Sequence, residues 1–309
     1  MRNFNKIIVG LELNRDGDML TSGSRRASEQ ALWVAKKNGS SIVFAHSTYN
    51  DEYHGALVAN QPVVHEGLSK EGREALQAIV SEASDAQVPA TLELSEDRVW
   101  LDITRLAMRD EADLVIVGKR NEDANDGRRL GSVATKLLRK CPSAVWVVKP
   151  NSSLLHKSVL VATDLEKVGD LAVRYGTYVA ERNDCDLHIV HAWQVPFAMQ
   201  MEACHMKDED FASELTKIRQ AAVDHIRESG SLQLMERKPH IHTAKGSPSD
   251  TICAAVEQYD PDLLVMGTVS RAGLAGVLIG STAERLLNRV DCSILAVKPD
   301  DFISPVKPL

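Results

Sequence analysis

The stretch that decides the fold is residues 262–299, DLLVMGTVSRAGLAGVLIGSTAERLLNRVDCSILAVKP. Its first residues, Asp262–Met266, form a short apolar run that ends at Gly267 and predicts a buried parallel strand. Gly280–Thr282 is typical of a helix start, and Ser293–Lys298 predicts a second strand. Glycine lets a backbone approach a ligand closely, and a helix start offers free N–H groups. Gly267 and the 280–282 segment therefore form a candidate phosphate cradle.

An internal repeat carries the same pattern over residues 113–150, DLVIVGKRNEDANDGRRLGSVATKLLRKCPSAVWVVKP. Three pairs of equivalent residues are each separated by 149 positions: Gly118 and Gly267, Gly131 and Gly280, and Lys149 and Lys298. Self-similarity at this period indicates a duplicated domain, because the repeats of solenoid proteins are far shorter. A chain of 309 residues is long enough to build two separate cores.

The repeat predicts three parts of the chain. Residues 1–150 form a first domain with a degenerate site, 154–299 a second domain with the glycine-loop site, and 300–309 a C-terminal tail. Strands alternate with helices in each half, which predicts an α/β fold with parallel sheets and right-handed crossovers. Helices are expected at 27–37, 66–84 and 171–182. The segments 48–64 and 196–210 show no period and are predicted to be loops.

Composition limits the partners. The net charge is −7 and there is no long basic run, so we expect neither a nucleic-acid nor a membrane partner. The five cysteines are scattered without a C-x-x-C pair, which favours reduced thiols and a cytoplasmic protein. The N-terminus shows no signal-peptide pattern, and no apolar run approaches the ~18 residues of a membrane-spanning helix.

Both halves resemble the universal stress protein domain, and the whole chain resembles the tandem, E-type bacterial members. The motif is G-x2-G-x9-G followed by Ser or Thr, with an aspartate ending the first strand. Gly267, Gly280 and Ser281 match it, Ser270 replaces the second glycine, and Asp164 fills the aspartate position. The resemblance implies two open five-stranded parallel sheets in the order 3-2-1-4-5 with helices on both faces. Such sheets are Rossmann-like and similar to those of the adenine nucleotide alpha hydrolases.

The resemblance also implies ATP binding in the second half. Asp164 would contact the adenosine part, the backbone near Ala192 would hold the adenine edge, and Gly267 with Gly280–Thr282 would hold the phosphates. The complete set of implied cofactor contacts is Ala162, Thr163, Asp164, Ala192, Met266, Gly267, Ser270, Gly280, Ser281 and Thr282. The family further implies pairing of the two fifth strands, 146–148 and 295–297, within one chain. Association of two such chains into a homodimer is a further alternative.

Departures from the motif separate the two halves. Serine at position 270 costs roughly 1 kcal/mol if the backbone has positive φ there, or about fivefold in affinity. The first half has Glu12 in place of the aspartate and Asn121 in place of the second glycine, and its loop carries Glu122, Asp123 and Asp126. Carboxylates close to a phosphate repel it, so we predict that the first half binds no nucleotide.

Histidines and cysteines offer a second kind of site. His46 and His191 each end an apolar strand and are expected to be satisfied by backbone groups. His240 and His242 would share one face of a strand, and Cys204-His205 lies in a predicted loop, which together invite a zinc interpretation. The spacing matches no standard zinc finger, so we expect no zinc site.

The leading hypothesis is a cytosolic stress-response protein that binds ATP as a sensor or scaffold. We assign no catalytic residue, because no general base or metal-binding carboxylate cluster stands beside the cradle. Any hydrolysis should therefore be slow. The alternatives are an interaction module whose sites are vestigial, a binder of a nucleotide-linked or acyl metabolite that uses the 196–210 loop as a lid, and a phosphohydrolase.

Overall fold

The computed structural model describes residues 4–48, 67–119, 130–195, 208–229, 232–268, 280–287 and 289–308. The chain forms two compact units, the first containing residues 1–154 and 301–309, the second the described residues from 155 to 300. In the first unit the Ser304 hydroxyl donates to the carbonyl oxygen of Lys140 over 2.7 Å. The C-terminal residues therefore pack on the first unit.

The first unit is a parallel five-stranded sheet in the order β3-β2-β1-β4-β5. Its strands are β1 (Lys6–Leu11), β2 (Ser41–Ser47), β3 (Ala90–Ser95), β4 (Leu114–Gly118) and β5 (Ala144–Val148). Its helices are α1 (Ser22–Asn38), α2 (Lys70–Asp85), α3 (Val99–Arg109) and α4 (Ser132–Lys140). The predicted strand order is confirmed.

The second unit repeats this order as β8-β7-β6-β9-β10, again with parallel strands. Its strands are β6 (Ser158–Ala162), β7 (Asp186–Trp193), β8 (His240–Lys245), β9 (Leu263–Gly267) and β10 (Ser293–Val297). Its helices are α5 (Lys167–Asn183), α6 (Asp208–Arg227), a 3-10 turn (Leu232–Leu234), α7 (Pro248–Tyr259) and α8 (Ser281–Leu287). The fold class predicted from the sequence is confirmed in both units.

The central strands are apolar on both faces, because helices cover both sides of a parallel sheet. Ile8 in β1 and Leu264 in β9 are completely buried, whereas the edge strands β3 and β8 are partly exposed. Asp113 and Asp262 precede β4 and β9, and each carboxylate accepts backbone N–H groups at the start of the neighbouring first strand. The same contact in both units fixes their equivalent registers.

Helix starts differ most from the sequence prediction. α1 begins at Ser22, five residues before the predicted start, because Thr21 caps it by accepting the N–H of Ser24 over 3.2 Å. α5 likewise begins at Lys167 and not at Leu171. The loop predicted at 196–210 ends three residues early, because α6 begins at Asp208. Residues 49–66 and 196–207 lie outside the described chain, so the loops predicted there stay predictions. No helix in the described ranges combines the length and apolarity that a membrane crossing needs.

The glycines that end β4 and β9 make room for the first helix of each unit. A Cβ atom on Gly118 would stand 2.2 Å from the carbonyl carbon of Gly23, and one on Gly267 would stand 2.6 Å from Cγ1 of Val168. Contacts this short are not tolerated in a packed interior. Gly267 therefore has a packing role that the sequence analysis, which assigned it to a ligand, did not foresee.

Candidate functional site

The second unit has its strand-order reversal at β6, which lies between β7 and β9. Ala162, the last residue of β6, is opposite Val190 on one side and Met266 on the other. In sheets of this kind ligands bind in the crevice at the carboxyl ends of the strands, at the reversal point. The predicted site residues after β6, β7 and β9 therefore follow three adjacent strands.

The end of β6 carries Thr163 and Asp164 in a tight turn. The N–H of Thr163 donates to the Val190 carbonyl oxygen over 3.1 Å, and its hydroxyl accepts the N–H of Leu165 over 3.1 Å. Oδ1 of the half-buried Asp164 accepts the N–H of Glu166 over 3.1 Å. This Asx turn holds the carboxylate at the entrance to α5. Gly169 permits it, because a Cβ there would lie 2.6 Å from Asp164 Oδ1.

Ala192 lies inside β7, not just after the strand as the sequence suggested, because β7 continues to Trp193. The carbonyl of Val190 points to β6, where it accepts the N–H of Thr163, and the carbonyl of Trp193 points to β8, where it accepts the N–H of Gly246. Backbone groups alternate in direction along a strand. The N–H and C=O of Ala192 are therefore directed toward the crevice beyond the end of β6.

The two strand-ending histidines are satisfied by backbone, as predicted. His191 Nδ1 lies 2.9 Å from the carbonyl oxygen of Thr163, and His46 Nδ1 lies 3.1 Å from the equivalent oxygen of Leu11. Burial lowers the pKa of His46. Both rings tie the second strand of their unit to the end of the first strand, which is a structural use.

The end of β9 is joined to the start of α8. The N–H of Thr268 donates to the Val297 carbonyl oxygen over 3.2 Å, and the Thr268 carbonyl oxygen accepts the N–H of Gly280 over 2.8 Å. Among the described residues, the buried Thr268 hydroxyl has no hydrogen-bond partner. Thr268 is not among the site residues predicted from the sequence, although a hydroxyl directly after a strand-ending glycine is a usable signal. Met266 is 3% exposed, so its side chain belongs to the core.

The remaining site residues are only partly visible. Ser270 lies outside the described residues, and of Ser281 only the backbone at the first turn of α8 is described. Thr282 follows in the same turn and is half-buried. The structure thus brings Asp164, Ala192, Thr268 and the start of α8 to one edge of the sheet.

The first unit fills the equivalent positions differently. Glu12 is exposed, and its N–H donates to the Ser24 hydroxyl over 2.7 Å. The position of Thr268 is taken by Lys119, which is buried and whose N–H donates to the Val148 carbonyl oxygen over 2.7 Å. Asn121 and the acidic residues of the loop lie outside the described chain. The two crevices therefore have equivalent backbone positions, but different side chains occupy them.

The predicted histidine pair does lie on one face of β8, stacked with His188 of β7 and Tyr259 of α7. His188 Nδ1 is 3.0 Å from His242 Nε2, and Tyr259 Oη is 3.2 Å from His242 Nδ1. Burial and the neighbouring imidazoles lower the pKa of His188 and His242. In the described ranges no three His, Cys, Asp or Glu side chains are arranged to hold a metal ion. Cys204-His205 is outside those ranges.

The chain matches the model of the universal stress protein family twice, over residues 3–149 and 156–298. It therefore belongs to that family, as a protein with two tandem domains. Universal stress protein E of Photorhabdus laumondii subsp. laumondii is 23% identical over 322 residues, covering 99% of both chains. Universal stress protein E of Escherichia coli K12 is 28% identical over 180 residues, covering 55% of this chain and 56% of that protein. The chain is thus similar to relatives named universal stress protein E.

A solved structure supports the fold. A protein of unknown function from Pseudomonas aeruginosa PAO1 superposes with a TM-score of 0.71 at 20% identity, covering 96% of this chain and 94% of that one. At that identity the likeness concerns the fold alone.

Proposed function

We propose that the second unit binds ATP in the crevice at the carboxyl ends of β7, β6 and β9, and that the protein serves as a stress-response sensor or scaffold. The observation that carries the proposal is the convergence of Asp164, the Ala192 backbone and Thr268 on the strand-order reversal. Carboxylate, peptide and hydroxyl groups at this place suit the ribose, the base and the phosphates respectively.

Each group has a distinct role in this proposal. The Asp164 carboxylate accepts hydrogen bonds from ribose hydroxyls, and the backbone of Ala192 bonds to the edge of the adenine. The buried Thr268 hydroxyl and the first-turn N–H groups of Ser281 and Thr282 donate to phosphate oxygens. The N–H of Gly280 is already donated to Thr268, so Gly280 contributes by fixing the helix start. Ala162, Thr163, Met266 and Gly267 shape the crevice, and the contact by Ser270 stays a prediction.

Calorimetric titration of the full chain with ATP tests the proposal, and the duplication supplies a matched control. Asp164→Ala removes the ribose contact and should weaken binding at least about tenfold, since hydrogen bonds to charged groups contribute roughly 1.5–3 kcal/mol. Glu12→Ala makes the equivalent change in the first unit and should leave the affinity unchanged. Absence of binding at millimolar ATP, or an equal loss in both variants, would contradict the proposal.

We assign the protein to the cytoplasm and expect at most slow ATP hydrolysis. The described cysteines Cys185 and Cys253 are buried free thiols, which supports a reducing compartment. Burial raises the pKa of Cys185 to about 12 and also raises that of Cys253, so neither is a reactive thiolate. Pairing of the fifth strands and a homodimer stay predictions.

A second candidate is an interaction module whose crevice is vestigial. Two of the motif glycines have structural uses without a ligand, because Gly267 packs against Val168 and Gly280 bonds to Thr268. This module would bind no ATP, so the titration above separates the two candidates. The alternative of a metabolite held under the 196–210 loop concerns a segment that is mostly outside the described residues.

A further inference from the structure

A second concave surface of the second unit lies away from the nucleotide crevice and shares no residue with it. It is a groove of about 630 Å³ between α6 and the chain that runs from the 3-10 turn into β8. Sites for small molecules commonly have volumes of roughly 300–1,000 Å³. The groove is therefore large enough for a ligand.

The floor of the groove is apolar. It is formed by Val223 of α6, Leu232, Pro239 and Ile241 of β8. Leu232 is buried, and the other three are half-buried, so part of their apolar surface still faces solvent. A ligand that covers this surface gains roughly 25 cal/mol for each Å² removed from water.

The rim of the groove is positively charged. Arg219, Arg227 and Lys238 line it, and no aspartate or glutamate does. Arg219 and Lys238 have no carboxylate partner in the described part of the chain, and Arg227 has only Asp224 at 4.0 Å.

These cations differ from others on the same unit. Arg237 lies 3.0 Å from Asp186 and Arg289 lies 2.8 Å from Asp250, each with a good ion pair. Arg219 and Lys238 therefore border one apolar floor without such a partner among the described residues, in a protein with a net charge of −7. Their charges are available to an anion.

From this combination we infer that the groove binds an anionic amphiphile. The aliphatic chain lies on the floor of Val223, Leu232, Pro239 and Ile241, and the carboxylate lies between Arg219 and Lys238. An aliphatic carboxylate uses both features, whereas a purely acidic peptide would leave the floor uncovered. The affinity depends on the charge of the head group as well as on the length of the chain.

The test is calorimetric titration of the full chain with dodecanoate, in the absence of nucleotide. The double variant Arg219→Gln/Lys238→Gln should bind dodecanoate at least about tenfold more weakly, because two charge-assisted contacts are lost. Both side chains are exposed, so the fold should be retained, which circular dichroism checks. Lys217→Gln is the matched control, an exposed cation of the same helix that does not line the groove. It should bind normally.

Four results would overturn the inference. They are no binding of dodecanoate to the native protein, an equal loss in the Lys217→Gln control, equal binding of the cationic dodecyltrimethylammonium, and displacement of dodecanoate by hexaglutamate at similar concentration. The last result would assign the groove to acidic peptides. No nucleotide is present in this experiment, so its outcome is independent of the ATP proposal.

Discussion

Thr268 is the residue whose environment says most about the crevice. Its side chain is 2% exposed, and its hydroxyl has no partner among the described residues. A buried hydroxyl without a partner costs roughly 1–3 kcal/mol. Such a cost at the carboxyl end of β9 is reasonable if a ligand oxygen supplies the missing partner.

Thr268→Val tests this interpretation, because valine has nearly the same shape and no hydroxyl. Without ligand, we expect the free energy of unfolding to rise by about 1 kcal/mol, since the unsatisfied group is removed. ATP affinity should fall about tenfold in calorimetry. Thr268→Ser keeps the hydroxyl and should retain most of the affinity. An unchanged affinity in Thr268→Val would show that the hydroxyl does not contact the nucleotide.

At the scale of elements, His156 links the segment before β6 to the end of α5. Its backbone N–H donates to Asn183 Oδ1 over 3.0 Å, and its ring is 3% exposed. Burial lowers the pKa of His156 to about 4, although the nearby Asp262 favours the charged form. The fold therefore accepts the neutral ring and resists its protonation.

The pKa of His156 predicts a loss of stability in acid. The unfolded chain binds this proton near pH 6.5 and the folded chain only near pH 4. The contribution of the neutral His156 ring to the free energy of unfolding is therefore complete above pH 6.5. It falls as the pH drops toward 4. At pH 5 the loss is about 2 kcal/mol. Urea unfolding at pH 8 and pH 5 measures it.

His156→Gln is the control for this titration. Between pH 8 and pH 5, the free energy of unfolding of this variant should decrease by about 2 kcal/mol less than that of the native protein. His46, His188 and His242, whose pKa values are also lowered, are present in both proteins and cancel in the comparison. Equal decreases in the two proteins would contradict the role of His156.

Elements differ in how well the sequence predicts them. Buried parallel strands are continuous apolar runs, so β9 is predicted to within one residue at each end. The start of α1 was placed too late, because the cap at Thr21 is polar and has no apolar period. The packing role of Gly267 could not be predicted from the sequence, because Val168, which it packs against, is about 100 residues away in the chain. Thr268 was overlooked because its burial depends on tertiary contacts.

The whole molecule carries two copies of one sheet with unequal crevices. The connection from β1 to α1 is a longer turn, closed by a bridge between Leu13 and Leu20, than the connection from β6 to α5. With Glu12 exposed at one position and Asp164 held in its Asx turn at the other, the copies differ where a ribose would bind. We therefore expect the nucleotide response to be confined to the second unit.

Hydrogen exchange read by mass spectrometry tests this asymmetry on the full chain. At an ATP concentration of 100 times Kd, binding contributes about 2.7 kcal/mol to the second unit. Peptides covering 158–166, 188–195 and 263–268 should then exchange more slowly, by up to about 100-fold where exchange needs unfolding of that unit. The equivalent peptides 6–14, 41–48 and 114–119 should be unchanged.

At the same ATP concentration, Asp164→Ala, with an affinity about tenfold lower, should reduce this stabilisation from about 2.7 to about 1.4 kcal/mol or less. Glu12→Ala should preserve the protection, since only the first change touches the proposed ribose contact. Protection of the 6–14 peptide would mean that the first crevice also holds nucleotide despite its glutamate. That result would place the functional difference between the copies elsewhere than in the residue ending their first strands.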